Sequence, residues 1–279
     1  MEKYELLPQQ LLHEGIVEKE DFFEPGLLDE EIILLTHTRE YWQKLETLSL
    51  TKKEIRDIGF PVRPDLIHRG RYIARGTIDC ALHALNDGVA LNIAGGTHHA
   101  FADKGGGFCI YNDFAIAANF LIHNEIVKKI LIFDLDVHQG DGTAAIFQEE
   151  PRVFTCSIHG AKNYPLRKQK SDLDIGLPDG TQDADYLEVI ETVLPNLIKT
   201  IRPDLMLYLA GVDVLATDKL GRLSLTLNGC LERDRLVFKT AKHFQFPIAV
   251  SMGGGYAHQV KTIIDAHANT FKAAKEVFY

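Results

Sequence analysis

The stretch that decides the fold is "IFDLDVHQGDGT", Ile132–Thr143. It begins as an apolar β-strand and then places Asp134, Asp136, His138 and Asp141 close together. A buried carboxylate is costly unless it is paired, neutralised or bound to a metal. The segment therefore predicts a buried strand that ends in a charged network or a metal site.

Short runs rich in Val, Ile and Leu recur from Gly88 onward, and helix-like stretches separate several of them. The predicted strands are 89–94, 129–135, 152–158, 204–210 and 246–251. The predicted helices between them are 112–127, 183–200 and 228–244, and the opening third of the chain also has helical spacing. This alternation is typical of a mostly parallel sheet with helices on both faces. No linker or repeat divides the chain, so we expect one α/β domain over 1–279.

Unusual polar residues follow each predicted strand. These loops are GGTHHA (95–100), DVHQGDG (136–142), HGAKNY (159–164), GVDVLATD (211–218) and MGGGYAH (252–258). Ligands of open α/β sheets bind at the carboxyl ends of the strands, so the five loops should converge on one site.

A three-ligand metal site is the leading interpretation of the acidic segment. Asp136 and His138 are separated by one residue and should face the same side, and Asp213 could complete the set from another strand. Three ligands with an open position is the arrangement of catalytic zinc, although Fe(II), Co(II) or Mn(II) would also suit these groups. The alternative is that each Asp caps a helix or holds a loop.

The tandem pair His98 and His99 could serve as general acid and base, with Asp134 and Asp141 as orienting carboxylates. Tyr256 could stabilise an oxyanion. Its glycine-rich loop lacks the GxxxxGK[ST] pattern of a phosphate cradle, so we expect its glycines to let the backbone approach a ligand. The tight loop KGGGFCIYND (104–113) either presents Phe108 to the site or tucks it into the core.

The composition is that of a globular protein, with 46% hydrophobic residues and a formal net charge of -9. This balance argues against broad binding to nucleic acid or anionic membranes. The four cysteines lack a CxxC pair, so we expect buried reduced thiols rather than disulfides. Without a signal-peptide region or a membrane-spanning apolar run, the expected location is cytoplasmic.

Four blocks of the sequence resemble the zinc-dependent histone deacetylase family, especially its class IV and bacterial branch. They are GGTHHAFADKGGGFCIYNDFAIAA, IFDLDVHQGDGT, LYLAGVDVLATDKLGRLSLT and VSMGGGYAH, in the family's order between Leu66 and His258. The resemblance implies a single catalytic domain of the arginase/deacetylase fold, with a sheet of about eight strands flanked by helices. Members of the family have a strand before the helix that MEKYELLPQQLL resembles. Because this sequence starts within that helix, we expect the first strand to be missing.

By this resemblance, one Zn²⁺ would bind Asp136, His138 and Asp213, and His98, His99 and Tyr256 would be catalytic with Asp134 and Asp141. An acyl-lysine tunnel would be lined by Gly107, Phe108, Tyr164 and Gly254. A structural K⁺ would lie among Asp134, Asp136, His138, Ser157 and Ile158.

The expected activity is hydrolysis of the amide of an acetyl-lysine, a longer acyl-lysine or an acetylated small amine, with a protein, peptide or small amine as the partner. The sequence leaves open which of these is the substrate, and it leaves the oligomeric state open. Two rival functions are a non-catalytic acyl-lysine binder and a binuclear manganese ureohydrolase, although the latter would need more bridging carboxylates.

Overall fold

A parallel β-sheet forms the centre of the computed structural model, which describes residues 3–279. Its strands are β1 (Val89–Asn92), β2 (Ile130–Asp134), β3 (Val153–Gly160), β4 (Leu173–Leu177), β5 (Leu205–Leu209) and β6 (Ile248–Ser251). Their order is β1-β6-β5-β2-β3-β4, and every neighbouring pair is parallel. The strand that carries Asp134 thus lies inside the sheet, between β5 and β3.

Ten α-helices surround this sheet within the described residues. They are α1 (Lys3–His13), α2 (Glu30–Ile33), α3 (Arg39–Glu46), α4 (Lys52–Ile58), α5 (Pro64–Asp87), α6 (Asp113–His123), α7 (Asp141–Phe147), α8 (Asp183–Ile201), α9 (Leu227–Phe244) and α10 (Val260–Phe278). Local sequence explains their ends. Thr51 and Glu54 form a capping box at the start of α4, and Gly59 ends that helix with a φ of 93°.

Side chains of β2 alternate between two cores, one on each face of the sheet. Leu131 and Phe133 pack in the core that includes α8, α9 and α10, whereas Ile130 and Ile132 pack in the core that includes α5 and α6. Fully burying an aliphatic or aromatic side chain of this kind contributes about 1.5–3 kcal/mol. Burial on both faces therefore fixes the position of β2 in the sheet, and this in turn positions the segment from Leu135 to Asp141 that follows it.

The predicted α/β architecture and all five predicted strands are confirmed, as are the three helices predicted between them. The expectation of about eight strands is wrong, since residues 3–279 form six. Among the described residues, the chain before Val89 forms helices and loops and adds no strand to the sheet. No further strand of the described chain pairs with the outer side of β1, which is therefore an edge strand. The sequence analysis also missed β4, because this opposite edge strand alternates between exposed and partly buried residues instead of forming an apolar run.

All four cysteines are buried and unpaired, as the sequence predicts. Among the helices of residues 3–279, none combines the length and the apolar character needed to cross a bilayer.

Candidate active site

Asp136, His138 and Asp213 lie together at the carboxyl ends of β2 and β5. One ligand atom from each residue falls within 4.8 Å of the other two, and all three residues are buried. Nδ1 of His138 is 3.0 Å from Oδ1 of Asp136 and 3.2 Å from Oδ2 of Asp213. The fold thus brings two carboxylates and one imidazole to a common point.

The donor set fits a divalent cation. Oδ2 of Asp213 is buried and has no hydrogen-bond partner among the described residues, and the nearest cationic group is the imidazole of His138, 3.2 Å away. Burial and the negative charge of Asp136 raise the pKa of Asp213 to about 7. Burial alone would lower the pKa of His138, but the two carboxylates raise it to about 10. These groups attract positive charge, and two oxygens with one nitrogen suit zinc or a similar metal.

His98 and His99 lie side by side, with ring centroids 4.1 Å apart, and each ring faces its own carboxylate. Nδ1 of His98 lies 2.7 Å from Oδ2 of Asp134, and Nδ1 of His99 lies 2.6 Å from Oδ1 of Asp141. A hydrogen bond at Nδ1 fixes the ring orientation and directs Nε2 elsewhere. The fold therefore forms two separate histidine–carboxylate pairs.

The two imidazoles have opposite pKa shifts. Burial opposes protonation of His98, but the charges of Asp134 and Asp136 outweigh it and raise its pKa to about 9. Burial and the neighbouring His98 cation lower the pKa of His99 to about 4, despite Asp141. Near neutral pH, this environment favours one protonated and one neutral imidazole, a combination suited to acid–base chemistry.

Tyr256 lies on the loop after β6, and its ring centroid is 6.0 Å from that of Phe108. Burial, reinforced by the charges of Asp136 and Asp213, raises the pKa of Tyr256 well above its usual value. Its hydroxyl therefore stays protonated and can donate a hydrogen bond.

Aromatic side chains also stand at the approach to the histidine pair. Phe108 is 49% exposed, so it is not tucked into the core. The Tyr164 ring meets His99 edge-on with 4.9 Å between centroids. The backbone at Gly107 passes so close to His99 that a β-carbon there would overlap the imidazole.

Three of the residues expected around potassium, Asp134, Ser157 and Ile158, lie on adjacent strands of the sheet, and Asp136 and His138 follow β2. Ser157 is the register partner of Asp134 across β2 and β3, and Ile158 follows it on β3. The Ser157 hydroxyl lies 3.0 Å from Nδ1 of His159.

A cavity of about 540 Å³ reaches Asp136 and His138 and is open to solvent, but Tyr164 is not among the residues that line it. His98, His99, Phe108 and Tyr256 line it, and so does Gly254 beside the two aspartates. The cavity thus gives a substrate access to the proposed metal ligands and to the histidine pair.

Sequence reasoning missed several side chains that hold these loops. The Asp113 carboxylate accepts hydrogen bonds from the backbone N–H groups of Gly96 and Thr97, immediately before His98. Asp218 accepts a hydrogen bond from the backbone N–H of Tyr256. The sequence gives little indication of these roles, since Asp113, for example, resembles an ordinary acidic residue in the first turn of a helix.

Arg233 was also missed. Its guanidinium is fully buried, pairs with Asp234 at 2.8 Å and donates to the carbonyl of Gly211, two residues before Asp213. Arg233 lies within the run ERDR on α9. Such a run of charged residues is typical of an exposed helix face, so the sequence gives no sign of a buried cation.

Comparison with known proteins adds independent information. A family model described as the histone deacetylase domain matches residues 1–271. The chain is 43% identical over 278 residues to an uncharacterized protein of Picosynechococcus sp., covering 100% of this chain and 93% of that protein. It is 29% identical over 264 residues to histone deacetylase 2 of Arabidopsis thaliana, covering 91% of this chain and 68% of that protein.

The fold is shared with a solved structure of an HDAC homolog complexed with SAHA. The TM-score is 0.83 at 23% sequence identity, and the match covers 97% of this chain and 77% of that one.

Proposed function

This chain belongs to the histone deacetylase family, and from that premise we propose that it is a metal-dependent deacetylase. The substrate would be an N-acetyl-lysine, a longer acyl-lysine or a similar acylated amine. The observation that carries the proposal is the juxtaposition of the buried Asp136–His138–Asp213 cluster with two histidine–carboxylate pairs.

We propose Zn²⁺ as the metal, held by Asp136, His138 and Asp213. When bound, the ion supplies Lewis acidity toward water and the amide carbonyl. Two carboxylates and one imidazole are a donor set that zinc accepts in catalytic sites. A structural K⁺ would be held by Asp134, Asp136, His138, Ser157 and Ile158, partly through main-chain carbonyls.

The chain's own residues would move the protons. His99, kept neutral by burial, would accept a proton from water as the oxygen forms a bond to the acetyl carbon. A protonated imidazole, His98 or the newly protonated His99, would donate to the nitrogen as the C–N bond breaks. The products are acetate and the free amine. Asp134 and Asp141 would orient the two rings.

Tyr256 would donate its hydroxyl proton in a hydrogen bond to the oxyanion that develops on the carbonyl. Loss of a comparable donor typically costs about 2.7–4 kcal/mol of transition-state stabilisation, or about a hundred- to thousandfold in kcat. Gly107, Phe108, Tyr164 and Gly254 would line the passage for the acyl-lysine chain.

The rival functions can be separated by metal content and turnover. A binuclear ureohydrolase needs two metals about 3.5–4 Å apart. Within residues 3–279, one cluster offers three suitable ligands, which favours a single metal. A non-catalytic binder would keep the cavity but would not need the paired histidines and Tyr256.

The test is hydrolysis of a matched panel by zinc-reconstituted protein, namely an acetyl-lysine peptide, a long-chain acyl-lysine peptide and acetylspermidine. Tyr256→Phe serves as the matched variant, with bound metal quantified for both proteins. We expect one zinc in each protein and turnover that falls about a hundred- to thousandfold in the variant.

Equal turnover by Tyr256→Phe would remove Tyr256 from the mechanism. Absence of turnover of all three compounds by folded protein that holds one zinc would contradict the proposed activity and favour the non-catalytic binder. Two tightly bound metals would favour the ureohydrolase instead.

A further inference from the structure

A cation-rich segment borders the candidate active site. Residues 161–170, AKNYPLRKQK, follow β3 and include Tyr164, whose ring lies against His99. Pro165 is buried, whereas the next side chains face outward, and Leu166 is 92% exposed. We call residues 161–170 the rim segment.

The rim segment has a firm anchor. The Asn163 side chain is buried and donates to the carbonyl of Leu220 at 2.7 Å, which links the segment to the loop beside Tyr256. Lys168 donates to the carbonyl of Pro165 at 2.7 Å, so that lysine folds back onto the segment. Gln139 binds Gln169 through both its oxygen and its nitrogen. These contacts present the remaining side chains on a defined backbone.

The charge of the rim segment is the reverse of the charge of the whole chain. The chain has a formal net charge of -9, whereas residues 161–170 contain four cations and no acid: Lys162, Arg167, Lys168 and Lys170. Arg167 and Lys170 make no ion pair within the described part of the chain.

Among the described residues, the acids that follow the segment, Asp172 and Asp174, make no ion pair with it, because their carboxylates accept hydrogen bonds from Thr155, Gln139 and Ser171. Lys162 and Arg222 share the single carboxylate of Asp179, at 3.7 and 3.3 Å. On α4, whose last carbonyls accept hydrogen bonds from Gly107 and Phe108, the Asp57 carboxylate already pairs with Lys53 at 2.6 Å. The rim beside Tyr164 therefore keeps a positive charge available to a ligand.

We propose that the rim segment selects acyl-lysine substrates in which acidic residues flank the modified lysine, with Arg167 and Lys170 as the selecting cations. This inference rests on the proposed deacetylase function. Arg167 is three residues from Tyr164, so their Cα atoms are at most about 11 Å apart. An extended peptide covers that distance in about three residues, which places the acidic positions within a few residues of the acyl-lysine.

Leu166 could suggest an anionic membrane instead, because an exposed apolar side chain among cations also suits a lipid surface. The position of the segment favours a peptide. The Tyr164 ring lies edge-on to His99, with 4.9 Å between ring centroids, so the rim segment begins beside the histidine pair.

The experiment uses three peptides with one acetyl-lysine each, which differ only in having acidic, neutral or basic flanking residues. Binding is measured by fluorescence anisotropy and hydrolysis by steady-state kinetics, on zinc-reconstituted protein at low salt. We expect the acidic peptide to bind about five- to tenfold more tightly than the neutral one, mostly as a difference in KM rather than kcat. Raising the ionic strength to about 1 M, where the Debye length is about 3 Å, should abolish the difference.

The test variant is Arg167→Gln/Lys170→Gln, which should lose the preference and retain turnover of the neutral peptide. The control variant is Lys239→Gln/Lys272→Gln, which removes two exposed charges from α9 and α10 and should retain the preference.

Equal binding of the three peptides by the wild type, or an unchanged preference in the rim variant, would overturn the proposal. So would vesicles of anionic phospholipid that bind the wild type but not the rim variant while the peptides bind equally. A binding preference without any turnover would count against the deacetylase function and leave the rim selectivity standing.

Discussion

The backbone of Gly254 passes directly against the carboxylate of Asp213. A β-carbon at position 254 would overlap Oδ2 of Asp213 and lie 2.7 Å from Oδ2 of Asp136. The Gly254 N–H also donates to Oδ2 of Asp136 at 2.8 Å. Glycine at this position thus allows the loop after β6 to close over both proposed carboxylate ligands.

We therefore expect Gly254→Ala to displace the Asp213 and Asp136 carboxylates and to lower zinc content and turnover together. Gly26→Ala is the matched control, because nothing lies within 4 Å of a β-carbon there. Metal analysis after gel filtration, with a thermal melt to verify folding, checks the prediction. A folded variant that carries a full equivalent of zinc would contradict it.

Asp141→Asn should reduce kcat by about a hundredfold or more, because the amide can no longer orient His99 as the carboxylate does. Zinc content should not change, since Asp141 contacts His99 and lies outside the proposed ligand set. Steady-state kinetics on the best substrate of the panel provide the measurement. Asp265→Asn, which removes an exposed carboxylate paired with Lys261, is the control. If kcat falls only a few-fold, the pair His99–Asp141 is not the base.

The buried cation Arg233 predicts a large effect on stability. Arg233→Met leaves the Asp234 carboxylate buried without its guanidinium partner, and breaking such a pair typically costs about 3–5 kcal/mol. Arg235→Met makes the same change two residues away, where the arginine is partly exposed, and should cost at most about 1 kcal/mol. Urea unfolding of both variants makes the comparison. Similar midpoints for the two would show that the buried pair does not stabilise the fold.

His37 predicts part of the pH dependence of stability. It is buried, with its Nδ1 facing the carbonyl of Phe101 and its Nε2 accepting from the backbone N–H of Asn112. Burial outweighs the bond to Phe101 and lowers its pKa from 6.5 to about 4. Between these values the unfolded chain binds more protons, so the contribution is complete above pH 6.5 and is lost as the pH falls.

The loss attributable to His37 should reach about 3 kcal/mol near pH 4. The free energy of unfolding, followed from pH 7 to pH 4, should therefore fall less steeply for His37→Gln than for the wild type. Comparing the two slopes removes the contribution of the other buried histidines. Parallel curves would mean that His37 titrates normally in the folded protein.

The strands that are buried on both faces could be predicted from the sequence, and so could the loops that follow them. Runs such as ILIFD identify strands buried on both faces, and the loops that follow parallel strands must meet at one edge. The edge strand β4 was missed because its alternating pattern resembles a polar loop. Arg233 and Asp218 were missed because their importance depends on burial and on backbone contacts from distant segments, which local pattern does not encode.

The segment Ile132–Thr143 has a consequence for how this protein could evolve. One strand end supplies Asp134, Asp136 and His138, and the helix that follows it supplies Asp141. Slipping β2 by a single residue against β3 and β5 would turn its side chains to the opposite face. Natural selection for activity would therefore act directly on strand pairing, and a single insertion between Ile132 and Asp141 would displace several of the proposed metal-binding and proton-transfer residues together.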